Sequence, residues 1–307
     1  MKLLILGAEG QLGKVFYSSA HAKGLDVSRT FERPREGCPG LDLAKPQSIP
    51  EIFKKTRPDA VVLCGAMTYV DGCEDNPDLA RRINAEGAGA VAENCARSGA
   101  RLVFLSTEYV FDGKNGPYSE EDFPNPLSVY GKTKLEGETL VLGGGNNLVI
   151  RTTVVYSWDP GGNNFVMQLI DGLSKGETIR VPNDQISTPT YAPELAGIIL
   201  RLLELGKSGI YNVTGRDVLD RYEFGVKACN VLCLDPRLLV PVSTAELKQK
   251  APRPLNAGLK TDKLIRETGI IPGTAQQGLE MLRTLADGSS PFGGPPAGGM
   301  PGKEQKA

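Results

Sequence analysis

The sequence predicts an α/β fold, in which a doubly wound parallel sheet carries a smaller, discontinuous C-terminal lobe. Short apolar runs alternate with amphipathic stretches through the first half of the chain, and the pattern loosens after Thr153. A glycine-rich turn directly follows the first apolar run. Continuous apolar strands that alternate with helices are typical of a parallel sheet covered on both faces.

The individual elements follow from these periodicities. Five apolar runs are predicted as buried strands: Lys2–Leu6, Leu25–Thr30, Ala60–Cys64, Arg101–Ser106 and Asn147–Arg151. Five stretches are predicted as helices: Gly10–Lys23, Pro46–Lys55, Asp78–Arg97, Tyr130–Leu142 and Tyr191–Leu205. Ligands of such sheets bind beyond the carboxyl ends of the strands, so the residues that follow each strand are the first candidates for a site.

Composition narrows the function classes. The 307 residues include 35 basic and 36 acidic side chains, so neither nucleic acid nor an anionic membrane is expected as a partner. The opening apolar run is too short for a secretory signal, and no stretch approaches a membrane span, so we expect a cytoplasmic protein. Six scattered cysteines and a single histidine, His21, make no metal ligand set.

The glycine turn is spaced GxxGxxG and opens the first predicted helix. Glycine lets the backbone turn tightly and lets a pyrophosphate approach the helix N-terminus. A strand-to-helix turn without any ligand can show the same spacing, but the position after the first strand favours a Rossmann-type dinucleotide site. The predicted cofactor contacts are Gly7, Gly10, Gln11, Leu12 and Gly13.

The end of the second strand indicates which dinucleotide is bound. Arg29 lies near that end with Arg33 close behind, and a guanidinium suits the 2′-phosphate of NADP. Glu32 could instead bind the ribose hydroxyls of NAD. We therefore predict NADP with Arg29 as a contact, with NAD and a surface arginine as the alternative.

A tyrosine and a lysine four residues apart suggest the chemistry. Tyr130 and Lys134 share one face of a predicted helix, and the polar residues Ser106–Asp112 follow an apolar strand. A free tyrosine, with a pKa of about 10, is a poor acid or base, but a nearby ammonium lowers that value. Tyr130 could then transfer a proton while hydride moves to or from nicotinamide, with Thr107 holding the substrate oxygen. A YxxxK pair alone is common by chance and would be read as structural. Here the pair follows the glycine turn and the polar strand end along the chain, and this combination favours a catalytic role.

These assignments divide the chain. Residues 1–155 are predicted to form the dinucleotide-binding domain, with residues 186–214 packing back on it. Residues 156–185 and 215–286 are predicted to form a substrate lobe. The Gly- and Pro-rich residues 287–307 are predicted to be a disordered tail.

Several longer motifs resemble a known family. The most specific are Ser106–Gly113, Gly116–Asp122, Tyr130–Gly137, Asp184–Tyr191 and Arg253–Leu264. Over about residues 1–286 the chain resembles the extended short-chain dehydrogenase/reductase superfamily, and within it the dTDP-4-dehydrorhamnose reductase family. The resemblance implies reduction of a nucleotide-linked 4-keto-6-deoxysugar by NAD(P)H, with Tyr130 as the proton donor.

The resemblance also implies roles for particular residues. Thr107, Glu108, Tyr130 and Lys134 would be catalytic, with Lys134 also bonded to the nicotinamide ribose. The remaining cofactor contacts would be Asp42, Leu43, Cys64, Gly65, Ala66, Thr68 and Ser106. The substrate contacts would be Tyr109, Val154, Asn164 and Arg253.

Two departures from the family pattern leave the substrate open. Glu108 stands where the reductases usually carry Asp, and Val154 stands where they usually carry Trp. The regulatory beta subunit of methionine adenosyltransferase, which binds NADP and a partner enzyme, looks similar over Val110–Gly137 and Arg253–Ala257. The alternatives are therefore such a regulatory subunit or another sugar-nucleotide reductase or epimerase, and a homodimer is left open.

Overall fold

A computed structural model describes residues 1–35 and 37–288. Its strands are β1 (Lys2–Leu6), β2 (Asp26–Thr30), β3 (Ala60–Leu63), β4 (Arg101–Thr107), β5 (Leu148–Thr152), β6 (Val155–Tyr156), β7 (Ile179–Pro182), β8 (Ile186–Ser187), β9 (Thr190–Tyr191), β10 (Gly209–Asn212), β11 (Leu219–Asp220) and β12 (Leu239–Val242).

The α-helices are α1 (Gln11–Ala22), α2 (Ile49–Thr56), α3 (Val70–Asp75), α4 (Pro77–Arg81), α5 (Gly87–Ser98), α6 (Val129–Gly143), α7 (Phe165–Ser174), α8 (Ala192–Glu204), α9 (Arg221–Leu232), α10 (Thr244–Leu247), α11 (Asp262–Thr268) and α12 (Ala275–Ala286). Single 3-10 turns cover Pro46–Ser48, Glu108–Val110 and Pro236–Leu238, and a π-turn covers Arg82–Glu86. No helix in the described part of the chain is long and apolar enough to span a bilayer.

The main sheet confirms the predicted α/β class. Six parallel strands lie in the order β10-β5-β4-β3-β1-β2. Alternate residues of β1 point to opposite faces: Leu3 and Ile5 pack with α1 and α8, whereas Leu4 and Leu6 pack with α2 and α5. The chain leaves β1 toward β2 and returns on the other side at β3, so the strand order reverses between β1 and β3. Ligands of doubly wound sheets bind in the crevice beyond such a switch point.

The C-terminal half contributes one strand to this sheet and builds a second core. β10 extends the sheet beside β5, although the apolar pattern had not indicated a strand there. Three helices, α7, α9 and α12, pack Leu169, Phe224 and Leu279 around Tyr156 in a separate cluster. The parallel pair of β7 and β12 lies against α9. This cluster is separate from the two clusters that flank the main sheet.

Two predicted elements differ from the structure. The single helix expected over 78–97 is α4 and α5 joined through the π-turn, which inserts an extra residue and shifts the register of the helix. The helix expected from Pro46 begins with a 3-10 turn before α2. Of the predicted tail, all but Asp287 and Gly288 lies outside the described residues.

Candidate active site at the carboxyl ends of the strands

The glycine turn brings three backbone segments into direct contact. Gly7 has a φ of +84°, and a Cβ there would lie 2.7 Å from the backbone nitrogen of Gly65 after β3. A Cβ on Gly13, in the first turn of α1, would lie 2.3 Å from the carbonyl oxygen of Gly7. Gly10 caps α1 without any side-chain hydrogen bond, so no side chain occupies the first-turn N–H groups. This cradle fits a pyrophosphate, because helix N-terminal amides attract anions.

The other side chains of the first helix turn have partners within the protein. The Nε2 of Gln11 donates to Ser157 Oγ at 2.9 Å, and Lys14 pairs with Asp159 at 2.8 Å. Leu12 packs against the core cluster beneath α1. The side chains of this turn therefore tie the glycine loop to the segment after β6 and leave the backbone to face a ligand.

The groove continues along the ends of β1 and β3. The N–H groups of Cys64 and Gly65 both donate to the Leu6 carbonyl, at 2.9 and 3.0 Å. Leu43 packs against Gly65, where a Cβ would come within 2.9 Å of its Cδ1, and Asp42 accepts from Ala44 N at 2.9 Å. Ala66 is half-buried and Thr68 is exposed. All of these residues line the same edge as the glycine turn, which suits the adenosine half of a dinucleotide.

Asn84, which the sequence analysis missed, holds this groove against α6. Its Oδ1 accepts from Met67 N at 2.9 Å, and its Nδ2 donates to Met67 O at 3.0 Å and to Thr133 Oγ1 at 3.2 Å. Asn84 lies in the π-turn, whose extra residue turns the amide inward. The register shift of a π-turn is not visible in an apolar pattern, so sequence periodicity could not have indicated it.

Arg29 lies away from the glycine turn. It is inside β2, opposite Ile5, and its guanidinium stacks 4.3 Å from the ring centroid of Tyr17 near the middle of α1. Arg33 and Arg35 follow Thr30 on the exposed surface, and the backbone N–H of Glu32 donates to Glu9 of the glycine turn at 2.7 Å. Two exposed arginines therefore follow the end of β2, where the ribose of a dinucleotide is expected to bind.

The predicted catalytic residues meet at the end of β4. Thr107 Oγ1 donates to Glu108 Oε2 at 2.7 Å, and Thr153 Oγ1 donates to Glu108 Oε1 at 2.6 Å. Tyr130, in the first turn of α6, packs edge-on against Tyr109 with ring centroids 5.5 Å apart. Ser128 caps α6 and accepts from Gly131 N at 3.2 Å, which fixes the turn that carries Tyr130.

The electrostatics of Tyr130 differ from the expectation. Burial raises the pKa of Tyr130 above 10.0, and the charge of Glu108 raises it further, whereas a hydrogen bond with Thr107 lowers it. The expected lowering by Lys134 is therefore not the dominant effect, because desolvation disfavours the phenolate more strongly. A tyrosine held protonated at neutral pH is suited to donate a proton.

Lys134 lies one helical turn further along α6 and is 2% exposed. Burial lowers the pKa of Lys134 from 10.5 to about 7, and Glu138 and Cys73 act in the opposite direction. Its Nζ lies 3.9 Å from the ring centroid of Phe104, and none of the residues 1–35 and 37–288 accepts a hydrogen bond from it. A buried ammonium without an acceptor fits the predicted contact with a ribose hydroxyl.

Burial dominates the pKa of Glu108 as well. It raises the pKa of Glu108, while the hydroxyls of Thr153 and Thr107 lower it. Thr153 precedes Val154, whose φ of +42° is rare for a β-branched residue. Such backbone outliers cluster at functional sites. Val154 therefore lies beside the site, at the position where the family pattern usually has Trp.

Two arginines face this site from the C-terminal lobe. Arg253 pairs with Asp71 at 2.9 Å, and its guanidinium lies 6.0 Å from the Tyr109 ring centroid. Arg221, at the start of α9, was missed by the sequence analysis. Burial lowers the pKa of Arg221, the charges of Tyr109 and Glu108 raise it, and Arg253 lowers it, so these four groups are neighbours. Within the described residues, the guanidinium of Arg221 has no hydrogen-bond or ion-pair partner, and it stacks on Phe165.

Two further predicted residues are used by the protein itself. Asn164 caps α7, accepting from Met167 N at 3.2 Å, and its Nδ2 donates to Ser157 O at 3.0 Å. Ser106 donates to Glu138 at 2.5 Å rather than toward the groove. Both side chains already have partners within the protein. Their roles as substrate and cofactor contacts therefore stay predictions.

The chain matches the RmlD substrate binding domain family over residues 1–286. It is 33% identical to the dTDP-4-dehydrorhamnose reductase of Aggregatibacter actinomycetemcomitans over 302 residues, 93% of this chain and 99% of that protein. It is 32% identical to methionine adenosyltransferase 2 subunit beta of Bos taurus, covering 86% and 81% of the two chains.

A solved structure agrees with these sequence matches. The dTDP-4-dehydrorhamnose reductase of Bacillus anthracis str. Ames, determined in complex with NADP, is 31% identical and superposes with a TM-score of 0.86. The match covers 92% of this chain and 98% of that one. The chain therefore belongs to the RmlD substrate-binding-domain family, the dTDP-4-dehydrorhamnose reductases, and is an NAD(P)-dependent short-chain dehydrogenase/reductase.

Proposed function

We propose that this protein reduces the keto group of a nucleotide-linked 4-keto-6-deoxysugar at C4. The observation that carries the proposal is Tyr130, held protonated by burial beside Thr107 and Glu108 at the sheet edge that also carries the glycine cradle. Reduced nicotinamide, when bound, supplies the hydride. Tyr130 donates the proton to the developing alkoxide, and Thr107 orients the substrate oxygen.

Lys134 and Glu108 complete the proposed set. The ammonium of Lys134 orients the nicotinamide ribose and favours the phenolate that remains once Tyr130 has given up its proton. Glu108, bonded to the hydroxyls of Thr107 and Thr153, holds the Thr107 hydroxyl in place and is the group from which a proton could return to Tyr130. We infer NADP as the preferred cofactor, with Arg33 and Arg35 as better-placed 2′-phosphate contacts than Arg29.

The arginine pair supports a nucleotide sugar as the substrate. Arg221 and Arg253 lie together beside Tyr109, and Arg221 has no anionic partner among the described residues. Guanidinium groups bind phosphate oxygens through paired N–H donors. A diphosphate here would place the attached sugar toward Tyr130 and Thr107. Cytoplasmic location and a homodimer remain predictions.

The test is oxidation of NADPH and NADH against a panel of nucleotide-linked 4-keto sugars. We expect turnover of at least one sugar, with Tyr130→Phe lowering kcat by about 10²-fold or more, since general acid catalysis contributes about 10²–10⁴. Tyr118→Phe, which alters a tyrosine bonded to Asp112 outside the site, is the control and should retain activity.

One result would reject the proposed reaction. No turnover on any sugar, in protein that still binds NADPH and co-purifies with a methionine adenosyltransferase, would favour the regulatory-subunit alternative. Interconversion of a sugar without net NADPH oxidation would instead indicate an epimerase.

A further inference from the structure

A buried ion pair lies directly beneath the proposed catalytic lysine. Glu138 of α6 and Arg151 of β5 are each 2% exposed, and their Oε2 and guanidinium nitrogen are 2.7 Å apart. Glu138 Oε1 also accepts from Arg151 Nε at 3.0 Å and from Ser106 Oγ at 2.5 Å. The carboxylate is thus held by three donors from two neighbouring strands.

The geometry links this pair to Lys134. Glu138 follows Lys134 by one helical turn, so both side chains lie on the face of α6 that packs on the sheet. Lys134 packs on Phe104, and the carboxylate is anchored by Ser106 two residues further along β4. Tyr130, Lys134 and Glu138 therefore form one ladder along the buried face of the helix.

The ion pair is not explained by stability alone. A buried salt bridge often contributes little net stability, because desolvation offsets the attraction between the charges. Among the described residues, one guanidinium nitrogen of Arg151 has no hydrogen-bond partner although it is buried, and the Arg151 Cζ lies 5.0 Å from the Phe111 ring centroid. A buried carboxylate with fixed geometry does, however, act strongly on a neighbouring buried ammonium.

We propose that Glu138, fixed by Arg151 and Ser106, is a positioning residue that orients the buried Lys134 side chain and keeps a large fraction of it protonated at neutral pH. The proposal rests on the proposed role of Lys134 in the catalytic set. Without this carboxylate, most Lys134 side chains would be neutral at neutral pH and would no longer offer a charged donor to the ribose hydroxyl or to the phenolate that Tyr130 leaves.

Other groups also face Lys134. Cys73 of α3 lies against it, Tyr130 precedes it on α6, and Glu108 lies beside Tyr130 after β4. From β5, the Arg151 guanidinium is bonded to the same carboxylate, and its positive charge acts against that of Glu138. Glu138 is the largest of the influences that raise the pKa of Lys134.

The experiment titrates Lys134 without any substrate. In protein labelled with ¹³C at lysine Cε, the Lys134 resonance is assigned with a Lys134→Arg variant and followed against pH. We expect a midpoint near pH 7 in the unaltered protein and a midpoint at least about one pH unit lower in Glu138→Gln, a tenfold loss of proton affinity. The pH at which NADPH oxidation falls off should move in the same direction.

Matched variants separate charge from packing. Glu136→Gln, on the outer face of the same helix where Glu136 pairs with Arg81, should leave the midpoint unchanged. Glu138→Asp keeps the negative charge, and its Lys134 midpoint should lie between those of the unaltered protein and Glu138→Gln. If Glu138→Gln does not fold, Glu138→Gln/Arg151→Met removes both charges, and the Lys134 midpoint should still fall because Glu138 is the largest influence that raises the pKa of Lys134.

An unchanged Lys134 midpoint in folded Glu138→Gln, or in the double variant, would overturn the proposal. The titration is independent of the reaction. A shifted midpoint in a protein that turns over no sugar would leave the inference standing and reject only the proposed function.

Discussion

At the residue scale, burial has a larger effect than pairing on the protonation of the proposed catalytic residues. The ammonium of Lys134 was expected to lower the pKa of Tyr130. Burial instead raises the pKa of Tyr130 and lowers the pKa of Lys134, because both side chains are removed from water. Each neutral form is favoured, which suits proton donation by the tyrosine and makes the charge of the lysine depend on its neighbours.

The lowered pKa of Lys134 predicts a pH-dependent stability cost. Between about pH 7 and 10.5 the unfolded chain binds a proton that the folded one does not, so stability rises with pH through that window. Lys134→Met, which does not titrate, should therefore be more stable than the unaltered protein at pH 6, by at most about 4–5 kcal/mol, since a pKa lowered from 10.5 to about 7 costs about 1.4 kcal/mol per unit.

Urea unfolding at pH 6 and pH 9 measures this difference. The advantage of Lys134→Met should shrink at pH 9, while its turnover is lost at both values. Lys132→Met, at an exposed position of the same helix, serves as the control. A pH-independent difference between Lys134→Met and the unaltered protein would show that Lys134 does not titrate in this window.

At the element scale, β1, α1 and β3 must approach closely for the cofactor cradle to form. The turn depends on glycine because backbone, not side chain, lies opposite each missing Cβ. The π-turn before α5 likewise holds α6 close to the loop after β3, since it brings Asn84 between Met67 and Thr133. The glycine turn and the π-turn therefore both hold loops in close contact at the carboxyl edge of the sheet.

Gly13→Ala should therefore damage cofactor binding. Its Cβ would lie 2.3 Å from the Gly7 carbonyl oxygen and 2.6 Å from Ala8 Cα, so the turn would have to open. We expect NADPH affinity to fall by about tenfold or more, measured by titration of NADPH fluorescence. Gly197→Ala is the matched control, since a Cβ there contacts nothing within 4 Å; it should stabilise α8 by about 0.5–1 kcal/mol. Equal NADPH affinity in both variants would contradict the prediction that the glycine turn binds the cofactor.

At the scale of the whole molecule, the site forms where the two halves of the chain meet. Thr107 and Tyr130 come from the main sheet and α6, whereas Arg221 and Arg253 come from the C-terminal lobe. The contacts of Gln11 with Ser157 and of Lys14 with Asp159 join the cofactor turn to the segment that leads into that lobe. The proposed cofactor and substrate sites are therefore joined by direct side-chain contacts.

Arg221→Met tests the contribution of the lobe. Removing a phosphate contact should raise the KM for the nucleotide sugar by about tenfold, with a smaller change in kcat and none in NADPH affinity. Steady-state kinetics on a sugar that the panel assay shows to be turned over provide the measurement. Arg221→Lys should restore part of the affinity. Arg237→Met, at a surface ion pair with Asp235, should behave like the unaltered protein. A kcat effect without a KM effect would place Arg221 in the chemistry instead.

The predictable part of this protein is local in sequence. The α/β class, the five strands with apolar runs, the glycine turn and the Tyr130–Lys134 spacing all follow from neighbouring residues, because strand and helix periods register burial directly. β10 was missed because its four residues, Gly209–Asn212, carry too little apolar pattern. Glu138 could have been found, since it continues the four-residue spacing of Tyr130 and Lys134 on α6.

The sequence by itself determined the architecture and the candidate proton-transfer pair, since periodicity and spacing depend only on local backbone geometry. Tertiary structure alone decided the direction of the pKa shifts, the place of Arg29 beside Tyr17, and the approach of Arg221 to Tyr109. Desolvation and charge depend on groups distant along the chain. The reason is physical: a pKa is set by everything within a few ångströms, and only the folded chain brings those groups together.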